Sequence, residues 1–364
     1  MKRKKNTGNA SNPTCWKDAF KHIRILIFAL SLLCFAGALR VDAKIVFCMA
    51  RDIYVINDDG SGIRRLTTNT QSMDSDPRWS PDGKRIAFTR YMDKGKIQTS
   101  SELFIMNADG TDQKRLTHNN VADANPSWSP DGKRIAFMSR RSGNGDVYVM
   151  ELASKAVQRL TGDEGELGAV TPDWSPDGTE IVYGQFIDNG GGLAHQTPYL
   201  MSANGLNHRP LFPAPEQGVA PIIMRFFPRW SKDGTRILFN DCRFADGRKC
   251  ILTVKRIGGL TQEITVIKER LGDNTASNYP CWMDNDHAIL FGLKLKDAPN
   301  ANYDLYRYVF ASRRLRRLTR DARAEILPDW IEGSLSVSPH RKLPTQWGDI
   351  KATRKADLPS PPLR

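Results

Sequence analysis

An all-β fold is predicted by three features of the sequence. One phrase recurs: Pro77-Arg-Trp-Ser-Pro-Asp-Gly-Lys-Arg-Ile-Ala-Phe88 returns as Pro126-Ser-Trp-Ser-Pro-Asp-Gly-Lys-Arg-Ile-Ala-Phe137, with weaker copies from Pro172, Pro228, Pro280 and Pro328. Its tryptophans, Trp79, Trp128, Trp174, Trp230, Trp282 and Trp330, lie 46 to 56 residues apart, a period that holds about four strands with their turns. No stretch within the repeats carries a convincing 3.6-residue period. Together these predict a six-bladed β-propeller of four-stranded blades.

Each unit opens with a short strand on the Trp. A Ser-Pro-Asp-Gly turn follows, in which proline presets φ at the second position and glycine accepts positive φ at the end. An apolar strand comes next (residues 85–89 and 134–139), then an alternating one (102–107 and 146–151). A tight Ala108-Asp-Gly-Thr111 turn leads to a fourth strand ending Arg115-Leu-Thr117, echoed at 65–67, 159–161 and 317–319. From Lys44 the chain begins with the second strand of a unit, residues 45–49, then 52–57 and 63–67. The missing Trp strand lies at the other end, in Pro328-Asp-Trp330. The ring is therefore expected to close by pairing of the N- and C-terminal strands, which leaves no unpaired edge, with the tryptophans packed between blades.

The composition, 364 residues with 40% hydrophobic and 26% charged, is that of a globular protein and excludes disordered, collagenous and small disulfide-dense chains. The net charge of +13 sits mostly at the ends: residues 1–43 hold eight basic and two acidic residues, 332–364 six and three, leaving about +4 between them. Nucleic acid is therefore not expected as a partner. Residues 1–43 read as a signal peptide. Lys2, Arg3, Lys4, Lys5, Lys17, Lys21 and Arg24 precede an apolar run over 25–37, and Val41 with Ala43 fit the small-residue cleavage rule. Thirteen residues of helix reach about 20 Å, short of a bilayer core roughly 30 Å thick, so cleavage before Lys44 is expected in place of a stable membrane span. Cys34 and Cys48 follow Leu33 and Phe47, which are not the small residues that precede a lipidated cysteine.

The mature chain is thus expected to be periplasmic or secreted, with Cys48, Cys242, Cys250 and Cys281 in an oxidising compartment. Cys242 and Cys250 flank a hairpin-like loop; a disulfide there and two free thiols packed as small hydrophobes both fit. No Cys-x-x-Cys supports a zinc site. The propeller is expected over 44–335. Residues 336–364 are basic and rich in proline (Pro339, Pro344, Pro359, Pro361, Pro362), which suits a flexible tail or, alternatively, a short docking motif on Trp347.

In a propeller the chain changes face at each strand, so the Ser-Pro-Asp-Gly and Ala-Asp-Gly turns share one face. The other connections, 91–101, 185–196, 213–227, 268–279 and 293–303, are longer and more varied. Functional residues concentrate on variable loops held by a rigid scaffold, which makes the long-loop face the candidate binding surface. Just before the Trp strands, at the mouth of the expected channel, stand Asp74, Asp76, Asp123, Asn125, Thr171, Arg225, Phe227, Asn278, Tyr279 and Glu325. They are expected to face water. Such carboxylates and amides suit a metal ion or the basic groups of a partner peptide, or they cap strands and line a water-filled channel. The Gly190-Gly-Gly192-Leu-Ala-His195 loop reads either as a ligand wrap or as a plain surface loop.

Other chemistry fails on spacing. Asn57-Asp-Asp-Gly60 and Asn107-Ala-Asp-Gly110 miss the EF-hand register and read as turns. No Gly-x-Ser-x-Gly is present, and Ser-Pro-Asp-Gly lacks the sialidase Ser-x-Asp-x-Gly spacing. His118, His195, His208, His287 and His340 show no metal spacing, so neither cofactor nor metal is expected.

The phrase Trp-Ser-Pro-Asp-Gly-Lys-Arg-Ile-Ala-Phe, followed by Tyr-Val-Met and Arg-Leu-Thr, resembles the β-propeller repeat of the TolB family, periplasmic proteins of the Tol-Pal system. The resemblance covers residues 44 to about 335. It is near-complete in the second and third units, fades at Ser231-Lys-Asp-Gly234 and Trp282-Met-Asp-Asn285, and does not extend to the α/β domain that precedes the TolB propeller. It implies an exported, non-catalytic, monomeric propeller that binds a protein or peptide of the cell envelope at its long-loop face. The alternative is a lyase or hydrolase acting on cell-surface polysaccharide, because the similar propeller of oligogalacturonate lyase gathers histidines from different blades.

Overall fold

The computed structural model describes residues 44–332 apart from 69–70, 93–100, 163–167, 189–193, 214–222, 244–248, 273–274, 296–301 and 321–322. The signal-like segment 1–43, most of the Gly190–His195 loop, and the tail with Trp347 lie outside the described residues. A first sheet holds β1 (Lys44–Met49), β2 (Asp52–Asn57), β3 (Arg64–Arg65) and β24 (Glu325–Ile331) in the order β24-β1-β2-β3. A second holds β4 (Met73–Trp79), β5 (Arg85–Tyr91), β6 (Ser101–Asn107) and β7 (Lys114–Arg115); a third holds β8 (Asp123–Trp128), β9 (Arg134–Ser142), β10 (Asn144–Glu151) and β11 (Val157–Arg159). An eight-stranded sheet contains β12 (Ala169–Trp174), β13 (Glu180–Asp188), β14 (Ala194–Ser202), β15 (Arg209–Pro210), β16 (Ile223–Trp230), β17 (Arg236–Arg243), β18 (Lys249–Arg256) and β19 (Thr261–Glu263). Its halves meet through one parallel pair, Gln196 with Met224. The last sheet is β20 (Thr275–Met283), β21 (Ala288–Leu295), β22 (Tyr303–Val309) and β23 (Arg314–Arg317). The first and last strands of the chain pair antiparallel, Lys44 opposite Ile331 and Met49 opposite Glu325.

The recurring motifs have local physical causes. In the Ser-Pro-Asp-Gly turn, Ser80 Oγ donates to Asp82 Oδ1 at 2.6 Å, and the same oxygen accepts the Lys84 N–H at 3.0 Å. Ser129 and Asp131, Ser175 and Asp177, and Ser231 and Asp233 repeat the first bond, and these bonds help hold Asp131 and Asp177 below the usual carboxylate range. Gly83 closes the turn at φ 66°, where a side chain would be strained. The Arg-Leu-Thr motif is a latch on the outermost strand. Arg115 pairs with Glu102 at 2.5 Å and donates from Nε to the Thr117 carbonyl, while Thr117 Oγ1 accepts the Leu103 N–H. Arg65 with Asp52, Arg159 with Asp146 and Arg317 with Asp304 repeat the ion pair.

The core lies between consecutive sheets. Trp79 packs with Ile86, Phe88 and Phe104 of its own sheet and with Val46, Ile53 and Val55 of the sheet before it. Trp128, Trp174, Trp230 and Trp282 occupy the matching places in the next layers, and Trp330 packs beside Ile45, Met283 and Leu290. Phe47, Phe88, Phe137, Phe239 and Phe291 are fully buried, each contributing roughly 1.5–3 kcal/mol of transfer free energy.

Two observations differ from the sequence reading, and a third decides a choice it left open. A helix, α1 (Val266–Leu271), follows β19 and buries Val266 and Ile267; six residues are too few to register as a helical period. The Trp strands start five to seven residues before their tryptophan, because a bulge in each absorbs a turn-like residue and lets pairing resume. The residues expected just ahead of these strands therefore lie inside them, and several are buried. Cys242 and Cys250, register partners of β17 and β18, are joined by a disulfide, whereas Cys48 and Cys281 are free and buried.

Candidate functional site

The Trp strands are bonded to one another in series. The Trp79 N–H donates to Asp329 Oδ2 (2.8 Å), the Trp174 N–H to Ser127 Oγ (3.2 Å), and the Trp230 N–H to Asp173 Oδ2 (2.9 Å). At the two remaining links the preceding strand offers arginine, which cannot accept. There the indole Nε1–H bonds a backbone carbonyl instead, Trp128 to Arg78 and Trp282 to Arg229. Strands β24, β4, β8, β12, β16 and β20 are thus linked in order through the residue before each Trp.

Those residues, Arg78, Ser127, Asp173, Arg229, Cys281 and Asp329, form a polar tier that the sequence reading missed. Arg229 pairs with Asp173 at 3.1 Å, and Arg78 stands 4.0 Å from Asp329. Burial raises Asp173 to about 7, opposed by the Trp230 N–H and the Arg78 guanidinium, and it also raises Asp329. Cys281 is raised by burial and then by Asp329. Aligning the six units on their tryptophans would have exposed the series, since the same position reads Arg, Ser, Asp, Arg, Cys, Asp.

Two residues earlier lies a second tier. Asp76, Asn125, Thr171, Phe227, Tyr279 and Leu327 all hold positive φ, between 50° and 56°, and none is glycine. They sit at the bulges of β4, β8, β12, β16, β20 and β24. Left-handed backbone is costly for a branched or aromatic residue. The tier divides by chemistry. Asp76 takes side-chain hydrogen bonds from Asn125, Thr89 and Ser75, with burial raising its pKa, and the Phe227 and Tyr279 rings lie 4.4 Å apart. Burial raises the Tyr91 hydroxyl, and Asp76 and Tyr279 add to that.

Of the candidates named from sequence, Asp76 and Asn125 come together, and so do Phe227 and Tyr279. Asn278 accepts the Tyr279 N–H at 3.1 Å. The expectation that these residues face water fails for the carboxylates: Asp74, Asp76, Asp123 and Glu325 are 0–4% exposed. Asp74 is held by Arg90 through two bonds (2.6 and 2.9 Å), Asp123 by Arg141 (3.0 Å) and Asn119 (2.6 Å), and Glu325 accepts from Thr319 Oγ1. Arg225 stands 3.7 Å from Asp241, with its guanidinium over the Phe212 ring. These four therefore stitch strands together. His195, His208 and His287 bond to Ile223, Tyr183 and Asp284 respectively. Among the described residues no group of three or more His, Cys, Asp or Glu could hold a metal ion, and no helix is long and apolar enough to cross a membrane.

Residues 94–210 match the family described as the TolB beta propeller domain. A 65-residue stretch is 43% identical to dipeptidyl-peptidase 5 of Porphyromonas endodontalis, covering 18% of this chain and 8% of that protein. Among solved structures, TolB from Acinetobacter baumannii superposes with TM-score 0.62 at 18% identity, over 79% of this chain and 66% of that one. Kuenenia stuttgartiensis hydrazine synthase gives 0.63 at 14% identity, over 79% and 46%. At such identities the superpositions speak to fold alone, and with the family match over residues 94–210 and the repeat they lead to one assignment: the chain has a β-propeller fold like that of TolB.

Proposed function

We propose that the chain is an exported, non-catalytic propeller that binds an extended segment of an envelope protein at the mouth formed by the left-handed tier. In this reading the eight-stranded sheet is two blades joined by one bridge, six blades form the ring, and β24 closes it against β1. Residues 1–43 direct export and are removed, and 336–364 form a tail.

The observation that carries the reading is the tier itself. Six equivalent positions keep positive φ while holding six different side chains other than glycine. Glycine would satisfy the backbone at less strain, so the side chains are retained for what they touch. One arc offers the amide of Asn125, held from behind by the buried Asp76, and the other a pair of rings (Phe227, Tyr279). That combination suits a peptide carrying a hydrogen-bond donor and an apolar side chain.

The test is capture of partners from envelope extract with the mature chain, then titration of the captured partner against two variants. Phe227→Ala/Tyr279→Ala should weaken binding at least tenfold, whereas Asp82→Ala/Asp131→Ala, on the short-turn face, should lower stability and leave affinity unchanged. Loss of binding in the turn variant alone would show that the wrong face was chosen.

A further inference from the structure

A local surplus of positive charge in the folded region falls on one sector of its outer edge. Residues 313–323 contain six arginines and one acidic residue, a surplus larger than the whole net charge of residues 44–331. Arg313, Arg314 and Arg316 are exposed on or beside β23, and Lys268 and Arg270 are exposed on α1. The helix and the strand are neighbours: Arg313 pairs with Glu269 at 2.5 Å, and Leu271, Phe310 and Leu315 pack on one core.

The fold does not require this charge. Arg317 is the latch arginine, but the place of Arg314, three residues earlier, is Gly62, Asp112 and Ala156 in the other latched units. The place of Arg320 is Thr68, His118 and Gly162. Among the described residues, Arg270, Arg314 and Arg320 have no carboxylate within ion-pair distance.

The first sheet adjoins the basic sector, because Arg316 Nη2 donates to the Asp59 carbonyl at 2.9 Å.

We infer that the sector formed by α1 and β23 docks on an anionic phospholipid surface, independently of the proposed peptide site. Long cationic side chains spread along an outer edge attract a charged plane without needing the packed apolar centre that a folded partner requires. Docking at this edge leaves the left-handed tier open.

The test is sedimentation of the mature chain, from Lys44, with vesicles of phosphatidylcholine alone or mixed with phosphatidylglycerol, reading the binding gained from the anionic lipid. Each basic residue near such a surface contributes roughly fivefold in affinity. The variant Arg270→Glu/Arg314→Glu/Arg320→Glu should therefore lose roughly a hundredfold or more of the gain, and Lys84→Glu/Lys133→Glu/Arg140→Glu, with the same change of net charge elsewhere, should keep most of it. Should the charge-reversed chain fail to fold, Arg314→Gln/Arg320→Gln tests the same point with a loss of roughly 25-fold. Equal losses in the sector and control variants, or no gain from phosphatidylglycerol in the unmodified chain, would overturn the inference. So would a sector variant that keeps full vesicle binding.

Discussion

Replacing Asp74 by alanine should be among the most damaging single changes in the molecule. The carboxylate is 1% exposed as a residue and accepts two bonds from Arg90, Nε to Oδ1 at 2.6 Å and Nη2 to Oδ2 at 2.9 Å. Arg90 cannot swing away to water. Its side chain is 12% exposed, and its guanidinium is held over the Phe88 and Phe104 rings at 5.2 and 4.5 Å. The substitution leaves a buried cation with Gln113 as its remaining side-chain acceptor, a situation that costs about 3–5 kcal/mol. Asp123→Ala should cost less, about 2 kcal/mol, because Arg141 is 30% exposed and can turn toward solvent. Urea unfolding followed by tryptophan fluorescence measures both. The double variant Asp74→Leu/Arg90→Met removes both charges and should recover most of the loss. A loss below about 1 kcal/mol for Asp74→Ala, the range of an exposed pair, would refute the argument, and so would a double variant as unstable as the single one.

Asp173 gives a pH signature. Its folded pKa of about 7 lies above the unfolded value near 4, so its contribution to stability is fully present at pH below 4 and is lost as pH rises to 7. The unfolding free energy of the unmodified chain, measured by urea titration, should therefore gain on that of Asp173→Asn as pH falls from 8 to 5, by on the order of 3 kcal/mol, and parallel profiles would contradict it. Thr171 is β-branched at φ 51° with its Oγ1 buried and unbonded; Thr171→Asn, which tolerates that backbone, should raise stability by roughly 1 kcal/mol. Deleting residues 327–364 removes most of β24, including the Asp329 carboxylate that holds the Trp79 N–H. It should abolish cooperative unfolding, whereas deleting 340–364 should not, and superposable melting curves for the two truncations would count against a ring closed by β24.

The propeller was legible because its signals are local and repeated. Proline and glycine in the Ser-Pro-Asp-Gly turn act within four residues, and the latch arginine and threonine act across one strand pair. The burial of Asp74, Asp123 and Glu325 was not legible. It depends on bulges that carry each Trp strand backwards past its turn-like residue, and on arginines 16 to 18 residues further along for the first two. The polar tier before the tryptophans was hidden for a different reason: its partners belong to neighbouring units, as with Asp173 and Arg229, 56 residues apart. In a repeat, what is constant across the units specifies the scaffold, because every unit must solve the same turn, latch and core. What departs from unit to unit at a fixed backbone position is free of that demand. The left-handed tier meets this criterion most sharply, with one backbone conformation beneath Asp, Asn, Thr, Phe, Tyr and Leu, and it is there that selectivity for a partner can be written without disturbing the fold.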